Sequence, residues 1–242
     1  MILDLLRTRL RQGTATRDGG ALPERFRGRP ALDPARCQDG CRACADACPT
    51  GALQTDPLRL DLGACLFCPA CTEACPDGAV RFTPDPRLAA RTRAELIVGA
   101  GEQPRVRALD ASMRKLFGRS LKLRQVSAGG CNGCEAELVA LGNVVFDLGR
   151  FGVQFVASPR HADGIVVTGP VTDNMRQPLL DAWAAVPAPK LVIAVGACAV
   201  SGGLFRHGLP PELPVDLYIP GCPPHPLTIL DGLLRLLGKP VA

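Results

Sequence analysis

Cysteines are the residues in this 242-residue chain best suited to chemistry: there are twelve, and they fall into three groups of four. Two groups are compact runs, each closed by a proline: Cys37-x3-Cys41-x2-Cys44-x3-Cys48-Pro49 and Cys65-x2-Cys68-x2-Cys71-x3-Cys75-Pro76. The third is dispersed over Cys131, Cys134, Cys198 and Cys222, each beside a glycine or two residues from one. Four thiolates can hold a tetrahedral zinc ion or an iron-sulfur cluster, and an even count also fits a disulfide framework. Disulfides are disfavoured because the chain is long enough to fold without staples and its Cys-x2-Cys spacing is that of metal ligands. The first dozen residues, moreover, hold three arginines and an aspartate rather than an export signal.

For the two compact runs the spacing follows the bacterial two-cluster ferredoxin pattern, in which the fourth cysteine of each run ligates the other cluster. That assigns Cys37, Cys41, Cys44 and Cys75 to one 4Fe-4S cluster and Cys65, Cys68, Cys71 and Cys48 to a second. The second run fits the pattern fully, and the first carries one extra residue between Cys37 and Cys41. Cys131, Cys134, Cys198 and Cys222 are expected to hold a third 4Fe-4S cluster, with zinc as the rival occupant. The formal charge of +5 counts the thiols as neutral. Three clusters of about −2 each would bring the total to about −1, so the basic balance is no sign of nucleic-acid binding.

These thiols need two kinds of scaffold. Residues 1–84 read as a small α+β, bacterial-ferredoxin-like domain with a basic N-terminal segment. It contains an internal repeat, in which Cys44-x3-Cys48-Pro49-Thr50-Gly51-Ala52 is echoed by Cys71-x3-Cys75-Pro76-Asp77-Gly78-Ala79. Residues 85–119 read as a linker without legible chemistry. From 120 to 242 strands and helices alternate, with candidate strands at 121–126, 153–157, 164–168, 191–195 and 215–219 and helical periodicity over 134–148 and 177–186. Short apolar runs of this kind are buried on both faces of a parallel sheet, so this part is expected to be an α/β, flavodoxin-like parallel-sheet domain. Each dispersed cysteine then follows a strand, and in an open parallel sheet sites form beyond the carboxyl ends of the strands. The opening segment has apolar residues at 2, 3, 6 and 10 on one helical face, with arginines largely opposite. That suits an amphipathic helix lying on a partner or on an anionic membrane, or a frayed terminal helix.

Residues 120–240 resemble the small, electron-transfer subunit of membrane-associated nickel-iron hydrogenases of the formate hydrogenlyase type (group 4), and are similar in turn to the cluster-bearing subunit of respiratory complex I. The resemblance is carried by Gly130-Cys131-Asn132-Gly133-Cys134-Glu135-Ala136-Glu137, Ser158-Pro159-Arg160-His161-Ala162-Asp163, Thr168-Gly169-Pro170-Val171-Thr172, Gly196-Ala197-Cys198-Ala199-Val200-Ser201-Gly202-Gly203 and Val215-Asp216-Leu217-Tyr218-Ile219-Pro220-Gly221-Cys222-Pro223-Pro224. The pair Cys131-x2-Cys134 is the hydrogenase form; the complex I form has adjacent cysteines. Residues 1–84 resemble the polyferredoxin subunit of the same complexes, including Gly13-Thr14-Ala15-Thr16 and Phe26-Arg27-Gly28, so the chain looks like a fusion of two neighbouring links in one electron path. The resemblance implies an oxidoreductase subunit without a complete active site of its own. Its partners would be a large subunit holding nickel and iron, an upstream donor such as a formate dehydrogenase or ferredoxin subunit, and membrane-arm subunits. The alternative is an equivalent subunit of a nickel-free or complex I-like enzyme serving quinone.

Glu135 occupies the family position of a proton-transferring carboxylate, and as an ordinary residue it would be a carboxylate stabilised at a helix N-terminus. Arg160 and His161 follow a strand at the same edge and could tune the third cluster's potential, His161 in a pH-sensitive way. His207 and His225 are expected only to satisfy local hydrogen bonds, and Trp183 to lie in the core. With no apolar run of the ~18 residues a span requires, the chain is expected to be cytoplasmic, peripheral on the cytoplasmic face of the inner membrane as part of a complex.

Overall fold

The computed structural model describes residues 2–13, 15–17, 22–101, 105–205 and 208–239. Helix α1 (Ile2–Gln12) has no buried residue. Next come strand β1 (Pro30–Leu32), helix α2 (Ala43–Asp46), strands β2 (Leu53–Thr55) and β3 (Leu58–Asp61), helix α3 (Ala70–Ala74) and strand β4 (Val80–Phe82). β1 pairs antiparallel with β4, and β2 antiparallel with β3, so the two cysteine runs are held between two small sheets. α2 and α3 each present one deeply buried cysteine, Cys44 and Cys71.

The stretch 85–119 contributes structure to both halves. Its strand β5 (Ile97–Val98) adds to β3 as a third antiparallel strand. Arg93 reaches Asp61 at the end of β3 through both guanidinium nitrogens, with Nη1 at 2.7 Å. Upstream, Ala90 exchanges two backbone hydrogen bonds with Tyr218 in the C-terminal half, and helix α4 (Ala111–Phe117) begins at Asp110, whose side chain accepts from the Met113 N–H. Proline and mixed charge hid these short elements in the sequence.

The remaining elements are β6 (Leu121–Ser127), α5 (Gly133–Ala140), β7 (Val153–Phe155), β8 (Gly164–Thr168), α6 (Asp173–Ala185), β9 (Leu191–Val195), α7 (Ala197–Ser201), β10 (Leu217–Ile219) and α8 (Pro226–Leu236). The five strands form one parallel sheet in the order β10-β9-β8-β6-β7. Numbered by their own sequence that is 5-4-3-1-2, the flavodoxin-type doubly wound order. β8 and β9 are buried along their whole length, as their unbroken apolar runs require.

Helix α5 stops at Ala140, short of the expected 148. Gly142 and Asn143 break it, the Asn143 side chain accepting from the backbone N–H groups of Val145 and Phe146 and so holding a turn in place of the helix. Strands β7 and β10 are likewise shorter than read, and α6 begins earlier, at Asp173. Trp183 is only half-buried: it flanks the core and carries Lys190 Nζ at 4.1 Å from its ring centre. Among the described residues no helix is long and apolar enough to cross a membrane. The two halves share a core, in which Leu53, Leu60, Leu62 and Leu96 cluster with Ala194, Ala199 and Val200.

Candidate metal centres

All twelve cysteines are free thiols. In the N-terminal half, thiols of the two runs lie close enough to influence one another. Cys37 feels the charge of Cys41 and Cys75, and Cys44 that of Cys75 and Cys37. Cys65 feels Cys71, Cys48 and Cys68. Burial pushes the Cys65 thiol up to about 12 and that of Cys71 up to about 11. Cys48 is the exception. Burial would raise it too, but hydrogen bonds from the Thr50 backbone and hydroxyl and from the Ala52 and Leu53 backbones outweigh burial and hold it below the ordinary thiol value.

The repeat seen in the sequence is a repeat of hydrogen bonding. Ala52 N–H donates to Cys48 Sγ and Ala79 N–H to Cys75 Sγ, both at 3.2 Å. The extra residue in the first run lies in a turn of its own, closed by Cys41 N–H to the Gln38 carbonyl, and the residue before the second cysteine of each run, Gly40 or Phe67, has the same left-handed backbone, at φ 74° and 54°. Phe67 N–H also donates to Cys65 Sγ at 3.3 Å.

The third quartet forms at the carboxyl end of the parallel sheet, where the strand order switches direction between β6 and β8. Cys131 lies in the loop after β6, and Cys134 at the start of α5. Cys198 opens α7 directly after β9, and Cys222 follows β10. Burial pushes the Cys134 thiol up to about 12, aided by the charges of Glu135, Cys198, Cys222 and Cys131. Cys131 and Cys222 are exposed, so one side of the quartet opens to solvent. Two glycines make the approach possible. A Cβ at Gly196, where φ is +90°, would lie 2.4 Å from Cys134 Sγ, and one at Gly169, where φ is +85°, would lie 2.6 Å from the Gly130 nitrogen.

The three quartets are not isolated from one another. Cys71 feels the charge of Cys44 across the first two, and Cys222 that of Cys68 across the second and third. Among the described residues no three His, Cys, Asp or Glu side chains gather on the space of a single metal ion.

Glu135 is 7% exposed, and its Oε1 accepts from Ser127 Oγ and Thr168 Oγ1, both at 2.6 Å. Burial opposes its ionisation, but the two hydroxyls outweigh it and hold the carboxyl below its ordinary value. Thr168 stood in a motif of the sequence; Ser127 did not, and only its place at the carboxyl end of a strand could have pointed to it. Arg160 and His161 sit on an exposed 3-10 turn (Pro159–His161). The chief influences on Cys134, Cys198 and Cys222 are burial and neighbouring thiols, with Glu135 acting on the first two. His225 does more than expected: its Nδ1 accepts from Leu227 N–H at the start of α8, and it packs edge-on against Phe26 and Phe146. Thr14 and His207 lie outside the described residues.

Residues 131–236 match the family model described as the NADH ubiquinone oxidoreductase 20 kDa subunit. Over 139 residues the chain is 46% identical to formate hydrogenlyase subunit 7 of Escherichia coli, a match covering 55% of this chain and 54% of that protein. It is 41% identical over 144 residues to the "Probable membrane-bound hydrogenase subunit mbhJ" of Pyrococcus furiosus, covering 57% of this chain and 86% of that one. It is 48% identical over 111 residues to an NADH-quinone oxidoreductase subunit of Citrifermentans bemidjiense, covering 44% of this chain and 65% of that one. The match thus spans about half the length of the first of these relatives and most of the second.

Proposed function

Because the chain belongs to the NADH ubiquinone oxidoreductase 20 kDa subunit family, we propose that it is the electron-transfer subunit of a nickel-iron hydrogenase complex. In this reading residues 1–84 are a two-cluster ferredoxin-like unit and residues 120–242 the small-subunit unit, joined by 85–119. When bound, three 4Fe-4S clusters would supply single-electron transfer. Cys37, Cys41, Cys44 and Cys75 would hold the first, Cys48, Cys65, Cys68 and Cys71 the second, and Cys131, Cys134, Cys198 and Cys222 the third.

The observation that carries the proposal is continuity: Cys44 and Cys71 share one core cluster, and the loops of Phe67 and Cys222 line one cavity. The backbone N–H groups aimed at Cys48, Cys65 and Cys75 suit sulfurs that carry charge, as those of a cluster would.

The partner holding nickel would dock over the edge where Cys131 and Cys222 are exposed. Glu135, held ionised behind that edge by Ser127 and Thr168, is the group proposed to pass protons toward the partner. Arg160 and His161, on the exposed turn after β7, are the residues proposed to tune the third cluster. An upstream donor would deliver electrons at the Cys37–Cys41 end, and membrane-arm subunits would complete the assembly on the cytoplasmic face of the inner membrane. Helix α1 supports such a peripheral seat: Ile2, Leu3, Leu5, Leu6 and Leu10 are 52–84% exposed, while Arg7, Arg9 and Arg11 supply the charge an anionic surface attracts.

A second reading, a nickel-free relative serving quinone, is favoured by the 48% identity to a quinone oxidoreductase subunit. Anaerobic purification of the chain with its native partners separates the two. About twelve irons and twelve labile sulfides per chain, with interacting reduced-cluster EPR signals and nickel in a partner, are expected. The same iron content with no nickel in the complex selects the quinone reading, and zinc in place of iron overturns both.

A further inference from the structure

The second and third quartets belong to different units: Cys65 and Cys68 lie in the loop before α3, and Cys222 in the loop after β10. A cavity of about 260 Å³ lies between them, its lining including Phe67, Cys222, Pro223 and His225. Surface loops separated by a void are free to shift unless something ties them, and an electron step between the quartets needs their separation fixed.

The segment Phe26-Arg27-Gly28 crosses this gap. It is stitched to the strand β4 side by Gly28 N–H to the Thr83 carbonyl and Arg29 N–H to the Asp85 carbonyl, each at 2.8 Å. Gly28 leaves no room for a side chain, since a Cβ there would meet the Asp85 carbonyl oxygen at 2.2 Å. From this anchored base two neighbouring side chains reach opposite ways. Arg27 Nε donates at 2.6 Å to the carbonyl of Phe67, the residue whose own N–H donates to Cys65 Sγ. The Phe26 ring meets His225 edge-on at 5.2 Å between ring centres, and His225 fixes the start of α8, three residues beyond Cys222.

We infer that Phe26 and Arg27 are positioning residues, a clamp that sets the separation of the second and third quartets and hence the rate of the electron step between them. The inference rests on the three-cluster reading above. Its assignment is specific: one side chain holds the Cys65–Cys68 loop, the next holds the Cys222 loop, and neither supplies a ligand.

The test uses the purified complex carrying Phe26→Ala, Arg27→Ala or Arg27→Lys. Iron and labile sulfide are measured first; a wild-type complex without clusters defeats the underlying reading and the clamp with it. The EPR spectrum of the reduced complex is then compared with that of Cys222→Ser, which identifies the splitting that arises between the second and third clusters. The expected result is full iron content, loss of that splitting and slower reduction of the third cluster in both alanine variants, with recovery in Arg27→Lys, whose amine can still donate to the Phe67 carbonyl. Unchanged splitting and rate at full iron content overturn the clamp. So does loss of iron in the alanine variants, because a clamp outside the ligand sets leaves the clusters in place.

Discussion

Substituting Gly196 by alanine tests the geometry of the third quartet most directly. The backbone there has φ +90°, and the new Cβ would lie 2.4 Å from Cys134 Sγ. With ψ at 154° this is backbone that essentially only glycine adopts, and a side chain there costs roughly 1–3 kcal/mol. Ordinary contact begins near 3.4 Å, so the sulfur must also retreat by about 1 Å, several times the ~0.2 Å tolerance of a metal-ligand bond. Cys134 is held at the start of α5 with its thiol packed against the sheet core, which leaves it little room to move away. Gly196→Ala is therefore expected to fold and to keep the clusters of the first two quartets while losing the third. Iron would fall from about twelve to about eight per chain, and the EPR interaction that disappears should be the one lost in Cys222→Ser. Gly149→Ala, at a site with nothing within 4 Å of the added carbon, serves as the control and should keep full iron. A Gly196→Ala protein with about twelve irons and a wild-type spectrum would refute the placement of Cys134 in that quartet.

Glu135→Gln keeps an oxygen for Ser127 and Thr168 but loses the ionisable proton site. On the hydrogenase reading, iron content should be unchanged while hydrogen turnover by the assembled complex falls on the order of 10²-fold, and unaltered turnover would leave Glu135 with a structural role only. On helix α1, Leu6→Asp or Leu10→Asp removes one of five exposed apolar side chains. Each should weaken flotation with anionic vesicles by about tenfold, the equivalent of one leucine of about 1.5 kcal/mol; equal flotation would assign that face to a protein partner. Asp216 is half-buried, and burial raises its carboxyl above the ordinary value despite hydrogen bonding from Val192 N–H and the charge of Arg91. A raised folded-state value means the neutral acid is the form favoured by folding, so its contribution is present at low pH and lost as pH rises through that value. Asp216→Asn should therefore gain urea resistance relative to wild type at pH 7, with the gain shrinking toward pH 4, and a difference constant across that range would show that burial of the charge is not the cause.

What could be read without coordinates was what repeats or what is continuous. The spacing Cys44-x3-Cys48 and Cys71-x3-Cys75 announces a local hydrogen-bonding unit because an N–H four residues beyond the last cysteine returns to its sulfur in both copies. Gly164–Thr168 and Leu191–Val195 were legible as strands because their burial on both faces demands an unbroken apolar run. Short elements were not. The two residues of Ile97–Val98 form a strand only because Leu60 and Asp61 are there to pair with them, and no window of sequence carries that information. Nor could composition show that Ser127 and Thr168 aim at one oxygen of Glu135, since the strands that bring them together, β6 and β8, meet only in the sheet. The same distinction separates ligands from the residues that space them. A proposed ligand set keeps its chemistry and its local spacing, so twelve cysteines stand out in the sequence, whereas the contacts of Phe26 with His225 and of Arg27 with Phe67 exist only once both units have folded against each other. On the clamp proposed above, residues of that second kind set how one quartet stands to the next, and an electron path is only as good as its longest interval.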